Sequence, residues 1–115
     1  MKNPITQIGK WLATRSEPAR SPHWSTTRAA HLNHEPACQW CSGVTSVEVH
    51  HIKPFHIHPE LELADANLIT MCEAIGRQCH LRMAHRGNWK DFDPNIRARC
   101  TARHREKSGA PAGGK

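Results

Sequence analysis

Long hydrophobic runs are missing from this sequence, and aromatic residues are few. Aromatics make up 5% of the 115 residues and apolar residues 37%. Burial alone is therefore not expected to outweigh the entropy of ordering the chain, and an additional staple is needed. No segment approaches the roughly 18 apolar residues of a membrane span, so no membrane association is expected. Residues Met1 to Arg20 lack the apolar stretch of a signal peptide, and a cytoplasmic location follows as an expectation. Acidic residues are also scarce: 10 against 16 lysines and arginines, for a formal charge of +6. Such a balance suits a protein that meets a polyanion, although many basic proteins of this size bind none.

What is plentiful is metal-ligating chemistry. Five cysteines and ten histidines occur in a chain whose length fits one domain. In a reducing compartment, cysteines paired at short spacing read as metal ligands rather than disulfides. Cys38 and Cys41 form a tight pair followed by Gly43; Cys72 and Cys79 form a looser one, so the segment between them must bulge. Four thiolates in a tetrahedron make a structural zinc site. Two alternatives stand beside that reading: ordinary buried thiols, or His80 replacing Cys79 as the fourth ligand. Cys100 is left over as a packing residue.

Along the chain, residues 1–20 read as an N-terminal arm, with Ile5, Ile8, Trp11 and Leu12 at helical spacing. Residues 21–106 read as the folded domain and 107–115 as a disordered, Gly/Ala/Pro-rich tail. A helix is expected from Ser21, a capping residue, to Pro36, with its face over the metal core. Val47 and Val49 alternate as in a strand that delivers His50 and His51. An irregular loop, Ile52 to Ala66, then leads to Asn67-Leu68-Ile69-Thr70-Met71-Cys72. Cys79 to His85 reads as a helix ended by Gly87, and Asp93-Pro94 opens a last helix from Asn95 to about Lys107.

The ordered set Val47-Glu48-Val49-His50-His51-Ile52-Lys53-Pro54, Asn67-Leu68-Ile69, Cys72 and Cys79-His80 resembles the HNH endonucleases with a zinc knuckle, particularly the small phage-associated kind. The resemblance covers roughly Arg20 to Trp89. It implies an α+β fold, a ββα-metal core with flanking helices and a structural zinc knuckle. The implied activity is metal-dependent hydrolysis of DNA phosphodiester bonds. By resemblance, His50 matches the first catalytic metal ligand, His51 the general base, Asn67 the residue that orients the base-bearing loop, and His80 the second ligand. Phage DNA processing, with a terminase as a candidate partner, is the setting it suggests, for a monomer or a homodimer.

The chemistry asks for the same residue types. Phosphodiester hydrolysis needs an activated water, a cation on the developing charge and help for the departing oxygen. Neighbouring strand side chains point to opposite faces, so His50 and His51 can divide those jobs. Histidine's ordinary pKa of about 6.5 suits a base near neutrality. His85, five residues beyond His80, is a candidate third ligand or a helix-end histidine; five is one more than the spacing that aligns two side chains on an α-helix. His56 and His58 read as loop residues, and Glu48 as a neighbour of His50. Arg97, Arg99, Arg103 and Arg105 are candidates for DNA phosphate contact, with Arg20 and Arg28 in support. Imidazoles and water suit nickel, zinc or manganese, while magnesium prefers oxygen. A zinc-stabilised DNA-binding module without catalysis is the alternative function.

Overall fold

The computed structural model describes residues 19–107. The arm expected over residues 1–20, apart from Ala19 and Arg20, and the tail beyond Lys107 lie outside the described residues. Within them the architecture is mixed α/β: helix α1 (Trp24–His34), strand β1 (Val47–His51), strand β2 (Leu68–Cys72), a π-helical turn (His80–Ala84) and helix α2 (Ile96–Lys107). The two strands form an antiparallel sheet in which His50 lies opposite Ile69 and His51 opposite Leu68. None of the described helices is long and apolar enough to cross a membrane.

Ser21, expected as the cap of α1, lies two residues before the N-cap, which is His23, without a side-chain capping bond. The Ser21 hydroxyl accepts from the His23 N–H at 3.0 Å in the preceding turn, while Pro36 follows the helix end. The helix covers the two-stranded sheet: Trp24 packs on the His51 ring with centroids 4.6 Å apart. Its one fully buried residue is His31. Residues 52–66, expected to be irregular, contain a 3-10 turn at Pro59–Leu61 and most of a second at Asp65–Asn67. The tail boundary moves by one residue, since α2 runs through Lys107.

A two-stranded sheet is at best marginally stable alone. Here β2 is buried along its whole length, and Ile69, Met71 and Cys72 join Ile52, Ala84, Ile96 and Cys100 in the core. A polar tie supplements this small core. Glu35, just after α1, accepts two bonds from the Arg97 guanidinium on α2, at 2.9 and 3.1 Å. It also accepts from the Thr70 N–H on β2 at 3.0 Å and lies 2.8 Å from His31 Nε2. One carboxylate thus links both helices to the central strand. Burial raises its pKa, but Arg97, Thr70 and His31 outweigh that and hold it below the usual value. Asp93 ties the start of α2 by accepting from the Asn95 N–H and the Arg99 guanidinium.

Candidate functional site

The first cysteine pair is shaped by a tight turn. The Cys38 N–H donates to the Gly43 carbonyl at 2.7 Å, and Ser42, with φ of 70°, donates back to the Cys38 carbonyl. The second pair comes from the end of β2 and the residue before the π-turn. The six residues between Cys72 and Cys79 are absorbed by a turn in which the Ala74 carbonyl accepts from both Arg77 and Gln78. Positive φ at Gly76 and Gln78 completes that bulge. All four sulfurs, of Cys38, Cys41, Cys72 and Cys79, lie within 4.8 Å of one another. This cluster could hold a metal ion such as zinc, and His80 is not part of it.

The donor chemistry fits a cation. Burial pushes the thiols of Cys38 and Cys79 up, and the neighbouring sulfurs oppose ionisation of Cys79 as well. Burial also acts on Cys72, but N–H groups of Cys79 and Ala74 and the Cys41 and Cys79 thiols bring it down to about 6. Four close sulfurs do not ionise together without a compensating positive charge, and a divalent ion supplies one. Cys100 stays outside the four: it is buried in the core, and burial pushes its thiol up to about 11.

The next residue along the chain belongs to a different cluster. His50, His80 and His85 each place a ring nitrogen within 4.8 Å of the others. His80 and His85 meet because the segment is a π-turn rather than an α-helix: the His85 N–H reaches the His80 carbonyl five residues back, at 3.0 Å. The wider turn takes up the additional residue that would separate these side chains on an α-helix, and such turns recur at functional sites.

The hydrogen bonds around the trio fix which nitrogens are available. His80 Nδ1 is 2.7 Å from the Glu73 carboxylate and His85 Nδ1 is 2.8 Å from the Asp91 carbonyl. Both partners accept, so each Nδ1 carries the proton and each Nε2 keeps a lone pair, the arrangement of a metal-ligating histidine with its supporting partner. His50 Nδ1 stands 3.0 Å from His80 Nε2, a separation at which both can bind one ion at about 2.0–2.1 Å. The other His50 nitrogen, Nε2, is buried with no hydrogen-bond partner among the described residues. Burial drives His50 down to about 2, with its three neighbouring histidines pushing the same way, so the ring is neutral. Trp89 closes one side, its ring 5.3 and 4.9 Å from those of His80 and His85.

His51 departs in another direction. Its Nε2 lies 3.0 Å from the Glu62 carbonyl, which can only accept, so Nε2 is protonated and Nδ1 bears the lone pair. Burial lowers its pKa, and the nearby Arg20 charge acts in the same sense against the Glu62 carbonyl. Asn67 spans the base of the loop after β1: its Oδ1 accepts from the Lys53 N–H at 2.8 Å, and Nδ2 donates to the Lys53 carbonyl at 3.1 Å. The Asn67 carbonyl also accepts from Ile52. His50, His51, His80 and His85 line one cleft of about 300 Å³, rimmed by Arg20, Phe55, His56, Trp89 and Lys90.

Other residues singled out in the sequence are engaged elsewhere. Arg97 is bound to Glu35 and the Leu68 carbonyl, Arg99 to Asp93, and Arg103 to the Trp40 carbonyl while stacking on the Trp40 ring. These three are therefore paired within the domain, on a helix whose buried residues are Ile96 and Cys100. Arg105 is exposed near the end of α2. Glu48 pairs with Arg28 at 3.3 Å and does not bond to His50. His58 pairs with Glu60, whereas His56 reaches the cleft. Sequence reasoning missed Glu35, Glu73 and Trp89. An acidic residue seven before a histidine has no periodic signature, and the turn after β2 brings Glu73 to His80.

Compared with protein-family models, with curated proteins and with solved structures, the chain matches none.

Proposed function

We propose that the protein is a metal-dependent DNA endonuclease with a ββα-metal centre of the HNH type, formed by β1, β2 and the π-turn around one divalent cation. The observation that carries this reading is the convergence of three imidazoles with a fourth, separately oriented one, His51, in a single cleft. His50, His80 and His85 would hold the catalytic ion, and the four cysteines a structural zinc.

When bound, the catalytic cation supplies charge stabilisation to a phosphoryl oxygen and to the departing 3′ oxygen. His51 acts as general base: with Nε2 fixed on the Glu62 carbonyl, Nδ1 accepts a proton from water. The hydroxide attacks phosphorus, the bond to the 3′ oxygen breaks, and that oxygen takes up a proton from solvent water, while His51 later returns its proton to solvent. The products are a 5′-phosphate and a 3′-hydroxyl. Asn67 positions the base by clamping the loop that follows it, and Glu73 and Asp91 hold the ligating rings. Arg20 and Lys90 at the rim supply positive charge for the DNA backbone.

Supercoiled plasmid incubated with zinc-loaded protein and magnesium, manganese, nickel or added zinc tests this directly. Nicked or linear DNA is the expected result with at least one ion. Retained, salt-dependent DNA binding with no cleavage under any ion would instead identify a non-catalytic DNA-binding module.

A further inference from the structure

Outside the cleft, a second group of histidines lies against α1. His31 and His34 are three apart on the helix, with ring centroids 4.8 Å apart. Asp65, in the turn before β2, places Oδ1 2.9 Å from His31 Nδ1 and 3.1 Å from His34 Nε2. One carboxylate oxygen therefore stands between two imidazole nitrogens, and one donor atom from each of the three residues lies within 4.8 Å of the others. His31 is buried, while the side chains of His34 and Asp65 are 56% and 64% exposed.

We infer that His31, His34 and Asp65 form a surface site for a first-row transition cation of the zinc, nickel or copper class, separate from both the four-cysteine cluster and the cleft. The buried half of the site is already arranged as such a ligand requires. His31 Nε2 sits 2.8 Å from Glu35 Oε1, and Arg97 and the Thr70 N–H hold that carboxylate in place. Both His31 nitrogens face carboxylate oxygens and donate to them, so a cation would take the place of the Nδ1 proton shared with Asp65 while the Nε2 proton stays on Glu35, the carboxylate–histidine–metal chain found behind ligating imidazoles. Asp65 and His34 supply the second and third donors from the open side, where water completes the coordination. Two imidazoles with one carboxylate favour these ions over calcium and magnesium, which prefer oxygen. The bound ion ties α1 to the turn that ends at Asn67.

Zinc binding by equilibrium dialysis with metal analysis tests the assignment on the whole chain. Wild type is compared with His34→Ala and Asp65→Asn, two exposed positions, with circular dichroism as the control for folding. Each variant is expected to bind one zinc equivalent fewer per chain than wild type, whereas His58→Ala, a histidine outside all three clusters, binds as many as wild type. An equal zinc count in His34→Ala and wild type would overturn the site. Loss in His34→Ala but not in Asp65→Asn would overturn the three-donor set by removing the carboxylate from it.

Discussion

Cys79 and His80 are adjacent in the chain, yet they belong to two clusters with opposite physical designs. The cysteine cluster brings four sulfurs together from two turns and has as many donors as a tetrahedral ion takes. The histidine cluster brings three nitrogens together at a cleft and leaves further positions for water or substrate. Closed, four-donor sites belong to structural metals, and sites with an open position to catalytic ones. The difference teaches how so small a domain can hold two donor clusters side by side: the residue that completes one cluster fixes the start of the turn that builds the other. A ligand on a rigid element is held more tightly than one on a free loop.

This comparison can be broken first at the cysteines. Cys72→Ser, or removal of zinc by a chelator, is expected to unfold the domain, since structural zinc contributes on the order of 10 kcal/mol in small metal-dependent folds. A native circular dichroism spectrum in the metal-free protein would remove the structural role. Glu35→Ala is next, leaving Arg97 and His31 without their shared carboxylate; with the Arg97 side chain 43% exposed, the loss is discounted from that of a fully buried pair to about 1–3 kcal/mol. Urea unfolding of zinc-loaded protein measures it, and a loss below about 1 kcal/mol would show that the tie is weak.

At the histidines, effects should fall on ion binding while the fold survives. Glu73→Ala removes the acceptor that orients His80, and the affinity of the cleft ion is expected to fall by about 10- to 100-fold with little change in thermal stability. Calorimetric titration of zinc-loaded protein reads that shift, and an unchanged affinity would remove Glu73 from the site. The smallest effect concerns Asp93. Burial opposes its ionisation, but the Arg99 and Asn95 hydrogen bonds prevail and lower its pKa in the fold. Its stabilisation is therefore present above the unfolded pKa of about 3.9 and lost as pH falls through the lower folded value. Below about pH 4, the stability difference between wild type and Asp93→Asn should narrow, as measured by urea unfolding at each pH. A difference independent of pH would contradict this.

Much of this organisation is legible from residue type and spacing. The Cys38–Cys41 pair, the alternation before His50 and the Asp93-Pro94 start of α2 are local signals, and each reports backbone geometry over a few residues. The π-turn is not local in that sense. An α-helical reading of Cys79 to His85 puts His80 and His85 out of line, and it is the wider turn that aligns them. The partners of the α2 arginines are a further case. Arg97 meets Glu35 and Arg103 meets the Trp40 carbonyl, 62 and 63 residues away in sequence, whereas Arg99 meets Asp93 six residues back. The two long-range pairings leave no trace in spacing.

The central claim is that His51 is the base of a centre whose cation is held by other residues. The most direct measurement pairs two readouts on His51→Ala: affinity for the cleft cation by calorimetry, and the single-turnover rate of plasmid nicking. The account predicts unchanged cation affinity with nicking slowed by about 100-fold or more. Nicking at the wild-type rate would contradict it.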